Sequence, residues 1–220
     1  MKRITAAALI ASTVLFLVVN LIHPKEYTRN HEAEQLRTIA DNYTRWQFAH
    51  FLTFIVILLF VFVVCGLAWT LFTRRPQLAV IGAALSLCGL VALGGVLALD
   101  GFTWAALGQV TTWPSADDHS LDMALLAVQQ SKWNLPFYVG SLGWLVGIVI
   151  LAVGLLRENL VPTWAGWTFA AGAVLTGVEG AVQNNAYFIV ASAVLALGGT
   201  AVGLALLHDH SARIGDVQPG

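Results

Sequence analysis

The sequence predicts an all-α, polytopic membrane protein with six transmembrane helices and two short extracytoplasmic amphipathic helices. The composition carries the first argument, since 58% of the 220 residues are hydrophobic and only 10% are charged. The mean hydropathy of +0.76 points the same way. Apolar runs of about 20 residues, the length that crosses a bilayer, recur along the whole chain. We therefore expect residues 1–220 to form a single bundle.

Six stretches are long and apolar enough to be spans. Lys2 and Arg3 precede the first one, as they would in a signal peptide, but no small-x-small cleavage motif comes before His23 and Pro24. We therefore expect this stretch to be a retained anchor. The six predicted spans are 4–22, 46–72, 78–106, 134–156, 163–183 and 186–207.

The Lys and Arg residues between the spans predict the orientation in the cell membrane. The Arg74-Arg75-Pro76 turn and the leading Lys-Arg pair are typical of cytoplasmic segments. The basic residues of the other side are diluted over two longer loops. We expect both termini to be cytoplasmic and the long loops to lie outside.

Each long loop carries a helical pattern. After Asn30, Leu36 and Ile39 recur at helical spacing among charged residues, which indicates an amphipathic helix that lies on the membrane. In the second loop Ser115 is a plausible N-cap, and Leu121 and Leu125 form the apolar stripe. Both helices are expected either to roof the outer end of the bundle or to serve only as interfacial anchors.

Small residues predict close contacts between helices. Gly143 with Gly147, and Gly199 with Gly203, have the four-residue spacing that allows two helix backbones to approach. These pairs support the bundle and carry no information about chemistry.

Four ionisable residues are predicted to lie at the same depth in the membrane. Charged groups in hydrocarbon are costly and are found mostly at functional sites. With about 1.5 Å of rise per residue, His50 lies roughly 6 Å below the outer boundary of its span, and Glu179 lies about 24 Å from the inner start of its own. Asp100 and His23 mark the outer ends of two further spans. The sequence thus predicts a polar pocket in the outer leaflet, closed below by apolar residues.

Polar neighbours on the same helix faces extend this pocket. Residues three or four apart share a helix face, and several helices carry polar groups at that spacing near the outside. The predicted ligand-binding residues are Gln47, Tyr138, Ser141, Gln183, Asn184 and Tyr187.

Two kinds of site are compatible with these residues. A divalent metal such as Zn, Fe or Mn prefers His and carboxylate ligands, and the candidate ligands are His23, His50, Asp100 and Glu179, with His31 and His119 from the roof. In the alternative, His50 and a carboxylate satisfy each other in a hydrogen-bonded network, with or without an organic ligand. A single haem between His23 and His50 is a less favoured option. For catalysis, Glu179 or Asp100 would be the base and His50 a proton relay.

Three function classes stay open from the sequence. The leading one is a pocket that binds a metal or a small polar or lipid-derived ligand, with hydrolytic or redox chemistry as an option. A small-solute or proton-coupled transporter and a structural subunit of a membrane complex are the alternatives. The bilayer is the expected partner, and self-association or a partner subunit is compatible with the chain. The near-neutral charge, with no basic stripe, argues against nucleic-acid binding.

Overall fold

Long helices dominate the computed structural model of the chain. The structure describes residues 1–24, 32–112, 117–129, 134–182 and 184–215, and their side chains except those of 32, 128–129, 138, 179–181 and 209–215. All secondary structure in these ranges is helical. In order, the helices are α1 (Lys2–Ile22), α2 (Glu32–Asp41), α3 (Tyr43–Phe72), α4 (Pro76–Ala98), a π-helical segment (Leu99–Thr103), α5 (Trp104–Val110), α6 (Asp118–Gln129), α7 (Leu135–Arg157), α8 (Thr163–Val182) and α9 (Asn185–Gly215).

Five helical runs in the described ranges are long and apolar enough to cross a membrane. They are Lys2–Ile22, Tyr43–Phe72, Pro76–Val110, Leu135–Arg157 and Asn185–His208. The predicted span 163–183 does form a helix, α8, but α8 is not one of the five. Its Trp, Thr and Gly residues and Glu179 reduce its mean hydropathy. The chain is thus an integral membrane protein by its apolar helices, whereas the prediction of six spans is only partly supported.

The six long helices form a closed ring. Each contacts the next in the order α1, α3, α4, α7, α8, α9 and back to α1. Thr163–Val182 takes its place in this ring between α7 and α9, although it is not one of the five candidate spans. Ring closure leaves a central space whose filling differs between the two ends of the bundle.

At the end that holds Arg75 and Glu158, here called the closed half, buried side chains such as Leu71, Leu151 and Leu155 fill the space between the helices. A Cβ placed on Gly89 would overlap the backbone nitrogen of Trp144, so α4 and α7 touch backbone to backbone. Gly147 meets Ser86 on the same interface, as its predicted spacing requires. The Arg75 Nε donates to Glu158 Oε1 at 2.6 Å and joins the α3–α4 turn to the end of α7.

At the opposite end, α2, α5 and α6 form a cap over the ring. Their apolar faces pack on one another and on Trp46 in a second hydrophobic cluster that contains Leu36, Ile39, Ala105, Leu121 and Leu125. The two loop helices are therefore packed against each other and α5. Helices form at both predicted places, whereas their extracytoplasmic position on the membrane stays a prediction. The half of the ring beneath them is here called the capped half.

Acidic residues hold the cap together. The Ala33 N–H in the first turn of α2 donates to Asp122 Oδ1 of α6 at 2.7 Å, and Arg37 forms an exposed ion pair with Asp118. Asp117 caps α6 by accepting from the N–H of Ser120 at 3.0 Å and from its hydroxyl at 2.7 Å. These bonds lower the pKa of Asp117. The predicted cap, Ser115, lies outside the described residues.

Candidate ligand-binding cavity

A cavity of about 440 Å³ occupies the capped half of the ring. All six ring helices and the cap contribute to its wall. The polar lining residues are Asn20, His23, Gln35, Thr38, His50, Thr53, Asp100, Ser141 and Thr176. The other lining residues are mainly Leu, Val, Ile, Phe and Trp, and no Lys or Arg occurs among the described lining residues.

The floor of the cavity is aromatic and aliphatic. Phe60 and Trp144 meet edge to face with ring centroids 5.1 Å apart, and Leu90 lies beside them in the core. All three are buried. The cavity therefore ends in an apolar layer, in line with the predicted apolar plug.

His50 and Asp100 meet at the upper end of the cavity. His50 Nε2 lies 3.3 Å from Asp100 Oδ2, with the imidazole 6% exposed and the Asp100 side chain 32% exposed. On its other side His50 Nδ1 lies 2.9 Å from the carbonyl oxygen of Trp46. A carbonyl oxygen only accepts, so Nδ1 carries a hydrogen and donates it to Trp46.

This donor assignment determines what the contact with Asp100 requires. With Nδ1 protonated, neutral His50 presents a lone pair at Nε2, and a lone pair facing a carboxylate oxygen is repulsive. For the 3.3 Å contact to be a hydrogen bond, a second proton must lie between Nε2 and Oδ2, carried by either partner. A pair joined in this way holds one exchangeable proton and is neutral as a unit.

The π-helical segment places Asp100 against His50. A π-helical turn contains one more residue than an α-turn and is frequently found at functional sites. Within this segment, a Cβ on Gly101 would lie 2.7 Å from His50 Cδ2, so glycine allows the helix to reach the imidazole. The Trp46 indole N–H donates to the Gly101 carbonyl oxygen at 3.3 Å. The π-helical segment thus contacts both His50 and Trp46, whose carbonyl oxygen accepts the hydrogen bond from His50.

Aromatic rings form the wall around the pair. The His23 ring lies 4.7 Å from Trp46 and 5.0 Å from His50, both edge to face. Trp46 also lies 4.7 Å from His50 and stacks with Trp104 at 6.3 Å. Rings on several sides limit how far the His50 imidazole can rotate, and they hold Nε2 toward Asp100.

Asp100 keeps one acceptor available at the cavity. Its Oδ1 is buried and accepts no hydrogen bond from any described group. A buried acceptor without a donor is energetically costly, so this atom favours a hydrogen-bond donor at this place.

The structure brings together four of the predicted site residues. His23, His50, Asp100 and Ser141 all line the cavity. The depth arithmetic therefore placed three residues from separate helices at a common level. The side chains of Glu179 and Tyr138 and the residues His31 and Gln183 lie outside what the structure describes, so their roles stay predictions.

Other predicted residues do not line the cavity. Gln47 donates to the hydroxyl of Tyr43 at 2.8 Å, and Asn184 accepts from the backbone N–H of Tyr187 at 3.1 Å and begins α9. The Tyr187 hydroxyl donates to the Leu175 carbonyl oxygen at 2.9 Å. His119 is exposed on α6. Local hydrogen bonds take the polar groups that helical spacing alone had assigned to the pocket.

Several lining residues were not singled out from the sequence. Asn20 lies three residues before His23 and so shares its helix face, a signal that was available. Gln35 and Thr38 line the cavity from α2. Their position in the cavity wall could be predicted only from the way α2 packs over the ring.

The metal hypothesis has two of its predicted ligands in contact, His50 and Asp100. The ring of His23 lies next to His50. Within the described residues, however, no group of three or more His, Cys, Asp or Glu side chains is spaced to hold a metal ion.

Apolar helices arranged around a cavity with one polar end define the class of this protein as an integral membrane protein. Residues 4–208 match the family described as a domain of unknown function, DUF4386, and the chain belongs to that family. Comparison with curated proteins and with solved structures gives no match. The description of the family assigns no activity, so the function is inferred below from the cavity.

Proposed function

We propose that this protein binds a small amphiphilic, lipid-derived molecule in the cavity of the capped half, with the polar group of that molecule against His50 and Asp100. The observation that carries the proposal is the separation of polarity along the cavity. The His50–Asp100 contact lies at one end, and the Phe60–Trp144 floor lies at the other.

The polar end favours a neutral head group such as a hydroxyl or carbonyl. The His50–Asp100 pair is neutral as a unit, and no described lining residue is Lys or Arg. A charged head group would therefore lose its hydration without gaining a counter-ion. A hydroxyl can donate to Asp100 Oδ1, and a carbonyl can accept the proton that the pair holds. The same proton makes the pair a general acid or base for chemistry on the bound head group.

The apolar part of the cavity suits a hydrocarbon chain. Ligand pockets commonly measure about 300–1000 Å³ and are lined mainly by apolar side chains with a few polar groups. The volume of about 440 Å³ lies in that range. The chain of the ligand would extend from the His50 level toward Phe60 and Trp144.

The proposed setting is a six-span protein of the cell membrane with cytoplasmic termini and the cap outside. Its support is the distribution of Lys and Arg and the position of α8 within the ring. A ligand in this setting would lie in the outer leaflet and beneath the cap.

Photolabelling of the full chain in phosphatidylcholine nanodiscs tests the proposal. The probe is hexadecanol with a diazirine next to the hydroxyl group. We expect it to label peptides that contain His50 of α3 and Asp100 of the π-helical segment after α4. The H50A variant should lose most of this labelling, because it loses the group that holds the shared proton.

The matched control is His119→Ala, which removes an exposed histidine outside the cavity. H119A should keep wild-type labelling. Equal labelling of H50A, H119A and the wild type, with both variants folded, would contradict the proposal.

Divalent metal binding is the second candidate, and the observation that favours it is the approach of His23 to His50 beside Asp100. Elemental analysis of the purified protein separates the two candidates. A stoichiometric metal that is lost in H50A and kept in H119A would favour the metal site over the amphiphile.

A further inference from the structure

A second, wholly apolar groove lies on the outer surface of the ring between α7 and α8. Its volume is about 430 Å³. The lining residues are Leu142, Leu145, Val146, Val149, Ile150, Val174, Gly177 and Val178. Val146, Val174 and Val178 are exposed, so the groove faces away from the centre of the bundle.

The groove and the central cavity share part of their walls. Leu142, Leu145 and Gly177 line both. At this place the ring is only one side chain thick, because Leu145 fills the space that a Cβ on Gly177 would occupy. A leucine side chain can change rotamer, whereas the backbone contacts between α4 and α7 in the closed half cannot yield in this way.

We propose that the groove between α7 and α8 is a lateral entrance from the bilayer and that it holds the distal part of the ligand's hydrocarbon chain, with Leu145 as the movable barrier. This inference rests on the proposed function. It commits to one occupant, the alkyl chain of a neutral amphiphile dissolved in the membrane, because the groove is apolar throughout and continues the apolar part of the cavity.

The cavity and the groove are expected to contribute differently to binding. Lipid tails are as apolar as leucine, so moving a chain from the bilayer into the groove gains little hydrophobic free energy. Affinity should therefore come from the head group at His50 and Asp100. The groove should decide which chains fit, through shape.

Two probes that differ only in chain length test the entrance. Both are alcohols with a diazirine next to the hydroxyl; the octyl probe is short enough for the cavity alone, and the hexadecyl probe needs the groove. Val174→Trp places an indole in the groove on its exposed face. We expect V174W to bind hexadecanol about tenfold more weakly, as a bulky ring displaces the chain, and octanol as the wild type does.

The matched control is Val139→Trp on α7, an exposed valine outside both spaces. V139W should bind both probes as the wild type does. Leu145→Trp is the second variant: if it folds, it should exclude hexadecanol as V174W does. V174W and L145W are folded when their thermal unfolding temperatures match that of V139W.

The outcomes separate this inference from the proposed function. Hexadecanol labelling at His50 that is unchanged in V174W overturns the lateral entrance and leaves the proposed function intact. A wild-type protein that labels with neither probe at α3 and α4 overturns the proposed function. Equal weakening of both probes at equilibrium in V174W contradicts the placement of the distal chain in the groove, since an octyl chain that has entered the cavity does not reach the groove.

Discussion

The two halves of the helix ring solve the same packing problem in opposite ways. In the closed half, Gly89 and Gly147 allow the backbones of α4 and α7 to touch, and buried side chains fill the centre of the ring. In the capped half the ring encloses a cavity of about 440 Å³, which α4 faces with Leu93, Val96 and Leu97. The ring thus changes from close packing to an open space along the length of α4. Because the side chains that face the cavity from α4 are large, the open space reflects the separation of the helices and not small residues.

The largest effect is expected at the close contact between α4 and α7. Gly89→Ala should destabilise the fold by about 1–3 kcal/mol, because its methyl group overlaps the Trp144 backbone and the helices must separate. Gly94→Ala should be neutral or stabilise by up to about 1 kcal/mol, because alanine favours helix and meets open space.

Thermal unfolding of both variants in detergent measures the two effects. G94A is the matched control for G89A, since both substitutions add one methyl group to the same helix. Similar unfolding temperatures for the two variants would contradict the backbone contact between α4 and α7 at Gly89.

A smaller effect is expected at the His50–Asp100 pair. Asp100→Leu leaves the buried Nε2 of His50 facing an apolar side chain, which should cost about 1–2 kcal/mol. In the closed half, Ser86→Ala removes a hydroxyl whose contact with the Trp144 carbonyl oxygen is long, at 3.5 Å. Its cost should be below about 0.5 kcal/mol.

Denaturant titration of D100L, H50F, the double variant H50F/D100L and S86A tests this coupling. In the double variant H50F/D100L both polar partners are gone, so part of the D100L cost should be recovered. Strict additivity of the two single changes would show that His50 and Asp100 do not interact.

The cap offers a more local test. Asp122→Ala removes the acceptor for the Ala33 N–H and should destabilise α2 by about 1 kcal/mol, the usual cost of losing an N-terminal cap. Asp118→Ala removes only the exposed ion pair with Arg37, which should contribute about 0–1 kcal/mol.

Hydrogen exchange of the α2 amides measures the difference. We expect faster exchange over Glu32–Asp41 in D122A, with D118A close to the wild type and α8 unchanged in both. Uniform acceleration of the whole chain in D122A would contradict a cap that opens on its own.

The smallest effect is a pH dependence of α6. Hydrogen bonds from Ser120 lower the pKa of Asp117 in the folded state below its ordinary value of 3.8. The stabilisation is therefore complete above 3.8 and is lost as the pH falls through the lowered pKa. The protection factor of the first turn of α6, which corrects the exchange rate for its intrinsic pH dependence, should fall on acidification in the wild type but not in Asp117→Ala. Identical pH profiles for the two would remove Asp117 as the cap.

Much of the architecture follows from hydropathy, and the reasons for the misses are local. Apolar runs located the start of every long helix to within three residues, although α4 ends at Ala98 and α9 continues to Gly215. A rise of 1.5 Å per residue brought His23, His50 and Asp100 to one level. The rise per residue gives the depth of a residue in the membrane, but not the direction in which its side chain points around the helix axis. Gln47 and Tyr187 share the outer level, but their hydrogen bonds to Tyr43 and to the Leu175 carbonyl oxygen turn them away from the cavity.

Two further features need the packed ring. The π-helical segment inserts one residue into a run that reads as uninterrupted helix, and only its contact with His50 and Trp46 explains it. The lateral groove depends on how α7 and α8 are rotated against each other. The short connection between Arg157 and Thr163 predicts that they are neighbours but does not specify that rotation. In the sequence Gly177 is one small residue among many, and only the structure shows that it contacts Leu145.

A crystal structure of the full chain grown in a monoolein mesophase tests the central claim most directly, because monoolein is itself a neutral amphiphile with hydroxyl groups. The expected result is elongated density in the capped half, with a hydroxyl or carbonyl oxygen within hydrogen-bond distance of His50 or Asp100. A cavity collapsed on itself, with His50 and Asp100 apart and no room above Phe60 and Trp144, would contradict the account.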